Sequence, residues 1–179
     1  LPPSRLGRVP DDFDGEVVAV VGFPHGTTTP SVKAHEAREA LEAGATEVDV
    51  ACNVSAFLSG EDDYFVRDVR AVAETGATTK AIIETGLLDD EQKRRAARLC
   101  VEAGAEYVKT CTGYAPGEAT VEDVRLLTEA VGDEAQLKAS GGVRDAETAR
   151  RLLEAGASRI GTSAGARIIR DERDAPPKE

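Results

Sequence analysis

The sequence predicts an α/β fold, specifically a (β/α)8 or TIM barrel whose first two strands are absent from this chain. Three observations carry that prediction: a recurring helix-end phrase, capped helical segments between its copies, and ionisable residues confined to one face of the strands. The phrase Glu-Ala-Gly-Ala occurs at Glu42–Ala45, Glu102–Ala105 and Glu154–Ala157. Each copy leads into a short strand-forming run: Glu47-Val48-Asp49-Val50, Tyr107-Val108-Lys109-Thr110 and Arg159-Ile160-Gly161-Thr162. The glycine falls where a helix C-terminus needs a left-handed residue, and looser copies lie at Thr75-Gly76-Ala77 and Val131-Gly132.

Taken in order, the elements begin with a strand over Val17–Phe23. Helical periodicity then predicts helices at Pro30–Ala43, Asp62–Glu74, Asp89–Ala103, Thr120–Ala130 and Asp145–Ala155. Asp89, Thr120 and Asp145 are suited to cap the helices they open. In the third helix Glu91, Arg94, Arg95 and Arg98 form a wet face opposite Ala96, Ala97, Leu99 and Cys100. Six strands alternating with helices require parallel pairing and right-handed crossovers.

Alternate strand positions separate a barrel from a doubly wound sheet. One face reads Glu47, Asp49, Ala51; Lys80, Ile82, Glu84; Tyr107, Lys109, Cys111; and Gln136, Lys138, Ser140. The other reads Val48, Val50; Ala81, Ile83; Val108, Thr110; and Leu137, Ala139. The apolar set packs against helices, while the ionisable set must converge where its members can pair, which a barrel interior allows. A closed barrel has eight strands in about 250 residues, against six strands in 179 residues here. The chain has no methionine, so Leu1 is not an initiator and the absent strands are expected upstream. An open barrel or an edge supplied by a partner chain are the alternatives. The whole chain, residues 1–179, reads as one domain.

Composition narrows the partners. With 22 basic and 33 acidic residues the net charge is −11, which disfavours nucleic acid and anionic lipid but permits a local basic pocket. No apolar run approaches the roughly 18 residues of a spanning helix, so no membrane association and a cytoplasmic location are expected. The scarcity of lysine beside abundant carboxylates suggests adaptation to brine. Cys52, Cys100 and Cys111 lack metal-finger spacing and are expected to be small, reduced residues without structural zinc.

Barrels keep their chemistry at the carboxyl ends of their strands. There the interior charges Asp49, Lys80, Glu84, Lys109 and Lys138 either neutralise one another or perform amine catalysis. The second reading requires a lysine that is neutral near pH 7, a shift of roughly 3 units or about 4 kcal/mol. A second ammonium about 5 Å away supplies on the order of 3 kcal/mol at an effective dielectric of 20, and desolvation supplies the rest. Asp49 then orients the second lysine as a proton shuttle. The last two strand ends, Ser140-Gly141-Gly142-Val143-Arg144 and Gly161-Thr162-Ser163-Ala164-Gly165, are glycine-rich and precede helices, the usual place for phosphate in a barrel. Glu84 and Lys80 are expected to support the site, Asn53 to reach substrate hydroxyls, and His25 and His35 carry no assigned role.

Five motifs in series extend the argument beyond spacing. They are Val21-Gly22-Phe23-Pro24-His25-Gly26, Glu47-Val48-Asp49-Val50, Ile82-Ile83-Glu84-Thr85, Tyr107-Val108-Lys109-Thr110-Cys111-Thr112-Gly113 and Lys138-Ala139-Ser140-Gly141-Gly142-Val143-Arg144. Together they resemble the deoxyribose-phosphate aldolase family over about Leu1 to Ile169. The resemblance implies a class I aldolase, without metal or organic cofactor, that reversibly cleaves 2-deoxy-D-ribose 5-phosphate to glyceraldehyde 3-phosphate and acetaldehyde. It assigns the Schiff base to Lys109 and the proton relay to Lys138 and Asp49. Substrate and phosphate fall to Thr112, Gly113, Gly141, Gly142, Arg144, Gly161 and Ser163. Cys111, Tyr114 and Ala164 depart from the family pattern. A small phosphorylated sugar is thus the expected partner, and assembly into a homo-oligomer is left open. A non-catalytic phosphate-binding barrel remnant and a class I aldolase acting on a ketose phosphate are the competing readings.

Overall fold

The computed structural model describes residues 1–174. Six strands, β1 (Val18–Val21), β2 (Glu47–Ala51), β3 (Thr78–Ile82), β4 (Tyr107–Lys109), β5 (Gln136–Ser140) and β6 (Arg159–Gly161), form one sheet in sequence order. Every neighbouring pair is parallel. The sheet is open between β6 and β1 but strongly curved, because Arg159 on β6 donates to Glu47 on β2 at 2.6 Å across the interior. This is a partial barrel with helices on its convex face, as the strand count predicts.

Helices α1 (Pro30–Glu42), α3 (Asp62–Ala73), α4 (Asp90–Glu102), α5 (Val121–Val131) and α6 (Ala146–Glu154) follow β1 to β5 and agree with the predicted spans to within a residue or two. Two more were not foreseen: the short α2 (Val54–Leu58) and α7 (Gly165–Asp174), which follows β6. The expected caps form. Thr120 and Asp145 each accept the N–H three residues on, and Asp89 completes a reciprocal capping box with Gln92. A Thr120→Ala change therefore costs about 1 kcal/mol.

The core lies between strands and helices. Val48, Val50, Ala81, Ile83, Val108 and Ala139 point outward and are fully buried against Ala37, Ala40, Phe65, Ala96 and Leu127. The alternation read from the sequence is thus realised: the apolar face of each strand meets helices, and the ionisable face is left for the interior. All three cysteines are free and buried. Burial, followed by neighbouring Cys52, pushes the Cys100 thiol well above its ordinary range. No helix among the described residues is long and apolar enough to cross a membrane.

Candidate active site

Register places the chemistry. Lys109 on β4 and Lys138 on β5 are directly paired, so their side chains leave the sheet side by side toward the interior. Asp49 on β2 reaches them because the sheet curves. Its Oδ2 accepts from Lys109 Nζ at 2.8 Å and from Lys138 Nζ at 2.6 Å. The two ammonium nitrogens therefore lie within the sum of those distances of each other. The lower layer continues the network: Lys80 Nζ stands 3.4 Å from Asp49 Oδ1 and 2.6 Å from Glu47 Oε2, which also receives Arg159. The Tyr107 ring carries both cations of that layer, with Lys80 Nζ 5.6 Å and Arg159 Cζ 4.9 Å from its centroid.

Four cations thus share two carboxylates, and the surplus positive charge has chemical consequences. Burial works to raise the Asp49 carboxyl, but Lys109 and Lys138 outweigh it and hold the group at about 2. Lys138 moves the other way from an ordinary lysine: burial lowers it, Asp49 opposes, and the Lys109 charge lowers it again. Asp49 stays ionised at any physiological pH, while Lys138 is held below an ordinary lysine.

The pair opens into a cavity of about 550 Å3 lined at one end by Asp49, Lys109 and Lys138 and at the other by Thr112, Gly113, Gly141, Gly142, Arg144, Gly161 and Ser163. All ten expected site residues therefore meet in one place. Gly113, Gly141 and Gly142 hold φ of +83°, +101° and +75°, where a side chain is strained. Among the described residues the backbone N–H groups of Gly113, Gly141, Gly142 and Ser163 have no hydrogen-bond partner. Unpartnered backbone amides on glycine-rich turns beside a cavity suit an anion.

Several residues also make contacts within the chain that shape the site. Gly161 contributes space, since a Cβ there would lie 3.3 Å from Lys138 Cε and closer still to Ser140. The Arg144 guanidinium is exposed and donates to Glu118 Oε1 at 3.0 Å. Thr112 spends its polar groups on Glu84: its N–H and hydroxyl both donate to that carboxylate, at 3.1 and 2.6 Å. Asn53 does not line the cavity; its Oδ1 accepts from Ser55 Oγ and Ala56 N and caps α2. Sequence spacing also missed Thr162, which lines the cavity and ties its own loop by donating to Val143 O at 2.6 Å and accepting from Ala164 N. Its place in a Gly-Thr-Ser strand end was the available signal.

A parallel half-barrel with an amine pair at its strand ends and an amide cradle beside them defines a barrel enzyme of the lysine-dependent aldolase class. Residues 3–172 match the model of the DeoC/LacD family aldolases. The chain is 50% identical over 166 residues to a deoxyribose-phosphate aldolase of Thermococcus gammatolerans, covering 90% of this chain and 74% of the relative. It is likewise 50% identical to the deoxyribose-phosphate aldolase of Halalkalibacterium halodurans, over 91% of this chain and 74% of that one. A tetrameric deoxyribose phosphate aldolase from Aeropyrum pernix superposes with a TM-score of 0.88 at 31% identity, covering 97% of this chain and 76% of the other. The chain belongs to the DeoC/LacD aldolase family.

Proposed function

We propose that this chain reversibly cleaves 2-deoxy-D-ribose 5-phosphate to D-glyceraldehyde 3-phosphate and acetaldehyde through a Schiff base on Lys109. The observation that carries the reading is the single Asp49 oxygen shared by two strand-end amines at the mouth of an amide-lined cavity. Membership of the aldolase family and the name borne by its 50% identical relatives support the substrate.

The steps follow from the charges. The Lys109 amine, once neutral, adds to the C1 aldehyde of the open-chain sugar, and loss of water leaves a protonated imine. The imine withdraws the electron pair of the C2–C3 bond while the C3 hydroxyl gives up its proton, so glyceraldehyde 3-phosphate departs and a two-carbon enamine stays on the enzyme. Protonation of the enamine carbon restores an imine, and water releases acetaldehyde. Lys138 and Asp49 serve these proton transfers: burial and the Lys109 charge make Lys138 a readier proton donor than an ordinary lysine, and the ionised Asp49 keeps the two amines in place. The phosphate, roughly a dianion, lies on the free amides of Gly113, Gly141, Gly142 and Ser163, with Arg144 at the rim.

Borohydride reduction in the presence of acetaldehyde tests the assignment. An ethyl group mapped to Lys109 is expected; an ethyl group on Lys138 would exchange the two roles. A folded protein with unchanged mass would leave a phosphate-binding barrel without catalysis. Trapping of dihydroxyacetone phosphate instead would mark an aldolase of ketose phosphates.

A further inference from the structure

Glu84 lies two residues past the end of β3 with its carboxylate buried, 5% exposed, and no cation within ion-pair distance among the described residues. It is also the single residue other than glycine with positive φ among the described residues, at φ 56° and ψ 65°. An L side chain adopts that left-handed conformation at a cost, and a buried carboxylate without a counter-cation is a second one. Both are tolerated here in one residue, and what they achieve is local: the carboxylate takes the Thr112 N–H at 3.1 Å and the Thr112 hydroxyl at 2.6 Å. The hydroxyl in turn accepts the Tyr114 N–H at 3.1 Å. Residues 112 and 114 are thereby fixed on both sides of Gly113, which lines the cavity and whose own N–H is left without a partner among the described residues.

The surrounding contacts show how tightly the two strand ends are matched. Thr85 N donates to Thr110 O at 3.1 Å, and Thr85 Oγ1 lies 3.4 Å from Cys111 Sγ. Gly86 sits so close to the loop after β4 that a Cβ on it would lie 2.1 Å from Pro116 O. Thus the turn after β3 is a template, and the loop that follows Lys109 is laid on it.

We infer that Glu84 is a positioning residue: through Thr112 it holds the Gly113 amide in the orientation that receives the substrate's phosphate. The inference rests on the reading above, that this cavity takes a phosphorylated sugar. Two donors of Thr112 converge on the carboxylate: the N–H reaches Oε1 at 3.1 Å and Oε2 at 3.3 Å, and the hydroxyl donates to Oε2 at 2.6 Å. A Glu84→Gln side chain keeps one acceptor oxygen, which both Thr112 donors must then share, and puts an amide NH2 that cannot accept in place of the other.

Steady-state kinetics with 2-deoxyribose 5-phosphate and with unphosphorylated 2-deoxyribose tests it, in wild type, Glu84→Gln and Glu84→Gly. Glycine is at ease at positive φ, so Glu84→Gly removes the carboxylate without adding backbone strain and guards against simple misfolding. Expected is a rise in KM for the phosphate ester of about threefold in Glu84→Gln and tenfold or more in Glu84→Gly. kcat is expected to fall by less than KM rises, and the preference for the ester over the unphosphorylated sugar to shrink in parallel. A folded Glu84→Gly protein that keeps the wild-type preference overturns the inference, as does one in which both substrates lose equally through kcat. Ethylation of Lys109 by acetaldehyde and borohydride in the wild type reports separately on the Schiff-base chemistry. Its failure sinks the proposed reaction, whereas its success beside an unaltered ester preference sinks the role of Glu84 alone.

Discussion

Buried charge lies on both sides of strand β2, and the two sets differ in one respect that decides what they do. On the convex face Lys33 of α1 and Asp68 of α3 form a fully buried pair at 2.5 Å. Lys33 also donates to Ala51 O at 2.7 Å, and Asp68 accepts from Asn53 N at 3.0 Å. One cation meets one anion there, and Gly22 is small where any side chain would strike the Lys33 stem, 2.7 Å from Cε. On the concave face four cations meet two carboxylates and open to a cavity. A balanced, sealed pair holds the scaffold and has no room for a ligand. An unbalanced set that opens to a cavity has that room, and it also attracts an anion.

The sharpest break between the two faces is mutational. Lys109→Leu removes the proposed nucleophile together with a surplus positive charge. Activity on the phosphorylated sugar is expected to fall by about 10⁴-fold or more, on the order of the loss when a covalent nucleophile is deleted. The melting temperature should hold or rise. Lys33→Met does the reverse: it strands Asp68 without its cation and costs about 3–5 kcal/mol of stability in a denaturant titration. The protein that remains folded should retain its acetaldehyde trapping. Adding Asp68→Leu should recover much of that loss, since an apolar pair often replaces a buried ion pair well. If Lys109→Leu proves the more destabilising of the two, the distinction between the faces fails.

Acid titration sharpens the same contrast because the two aspartates have opposite signs. Asp49 is held at about 2 against an ordinary 3.8. A depressed folded value contributes stability that is present above pH 4 and is lost as pH falls toward 2, on the order of 2 kcal/mol. Asp68 is raised, by burial first, with Lys33 opposing. Its ionised form is the penalised one, so acidification through its folded value favours the native state. The stability difference between wild type and Asp49→Asn should therefore narrow from pH 4 to pH 2, while that between wild type and Asp68→Asn should not follow the same course. Denaturant midpoints at three pH values distinguish them. Parallel courses would mean that the two carboxylates share one environment.

Much of this was readable in the residues, and the part that was not has a common cause. Periodicity and caps located five helices because Asp89, Thr120 and Asp145 mark their starts chemically. Period-two alternation placed Asp49, Lys109 and Lys138 on one face, and register then made them neighbours. What alternation cannot encode is which interior residues of distant strands meet, so the contact of Arg159 with Glu47 had no sequence signal. Nor can it say how a polar residue spends its hydrogen bonds. Asn53 reads equally as a substrate ligand and as a cap, and the three-residue offset to Ala56 is the clue that favours the cap. Thr112 reads as a ligand until its partner Glu84 is known, and that partner lies 28 positions away. Lys33 and Asp68 fall within helices whose patterns show nothing unusual, and their pairing depends on the packing of α1 against α3.

The exposed pair between Arg144 and Glu118 completes the comparison as the weakest case. It is balanced like Lys33 with Asp68, but solvent screens it, so it contributes little to stability. Its interest lies in position. The Glu118 carboxylate occupies the space that a side chain on Gly142 would fill, with Cδ 2.3 Å from that point. It therefore places a negative charge against the rim of the anion cradle while engaging Arg144, which lines the cavity there. A phosphate arriving at Gly142 must share Arg144 with it. Glu118→Gln keeps the shape and removes the charge, so KM for the phosphate ester is expected to fall by about two- to threefold, with the melting temperature within a degree or two of wild type. The gain should diminish as salt is added, because screening already weakens the repulsion it relieves. A rise in KM would instead mean that Glu118 holds Arg144 ready for the phosphate, and balanced pairs at this rim would then belong with the chemistry rather than with the scaffold.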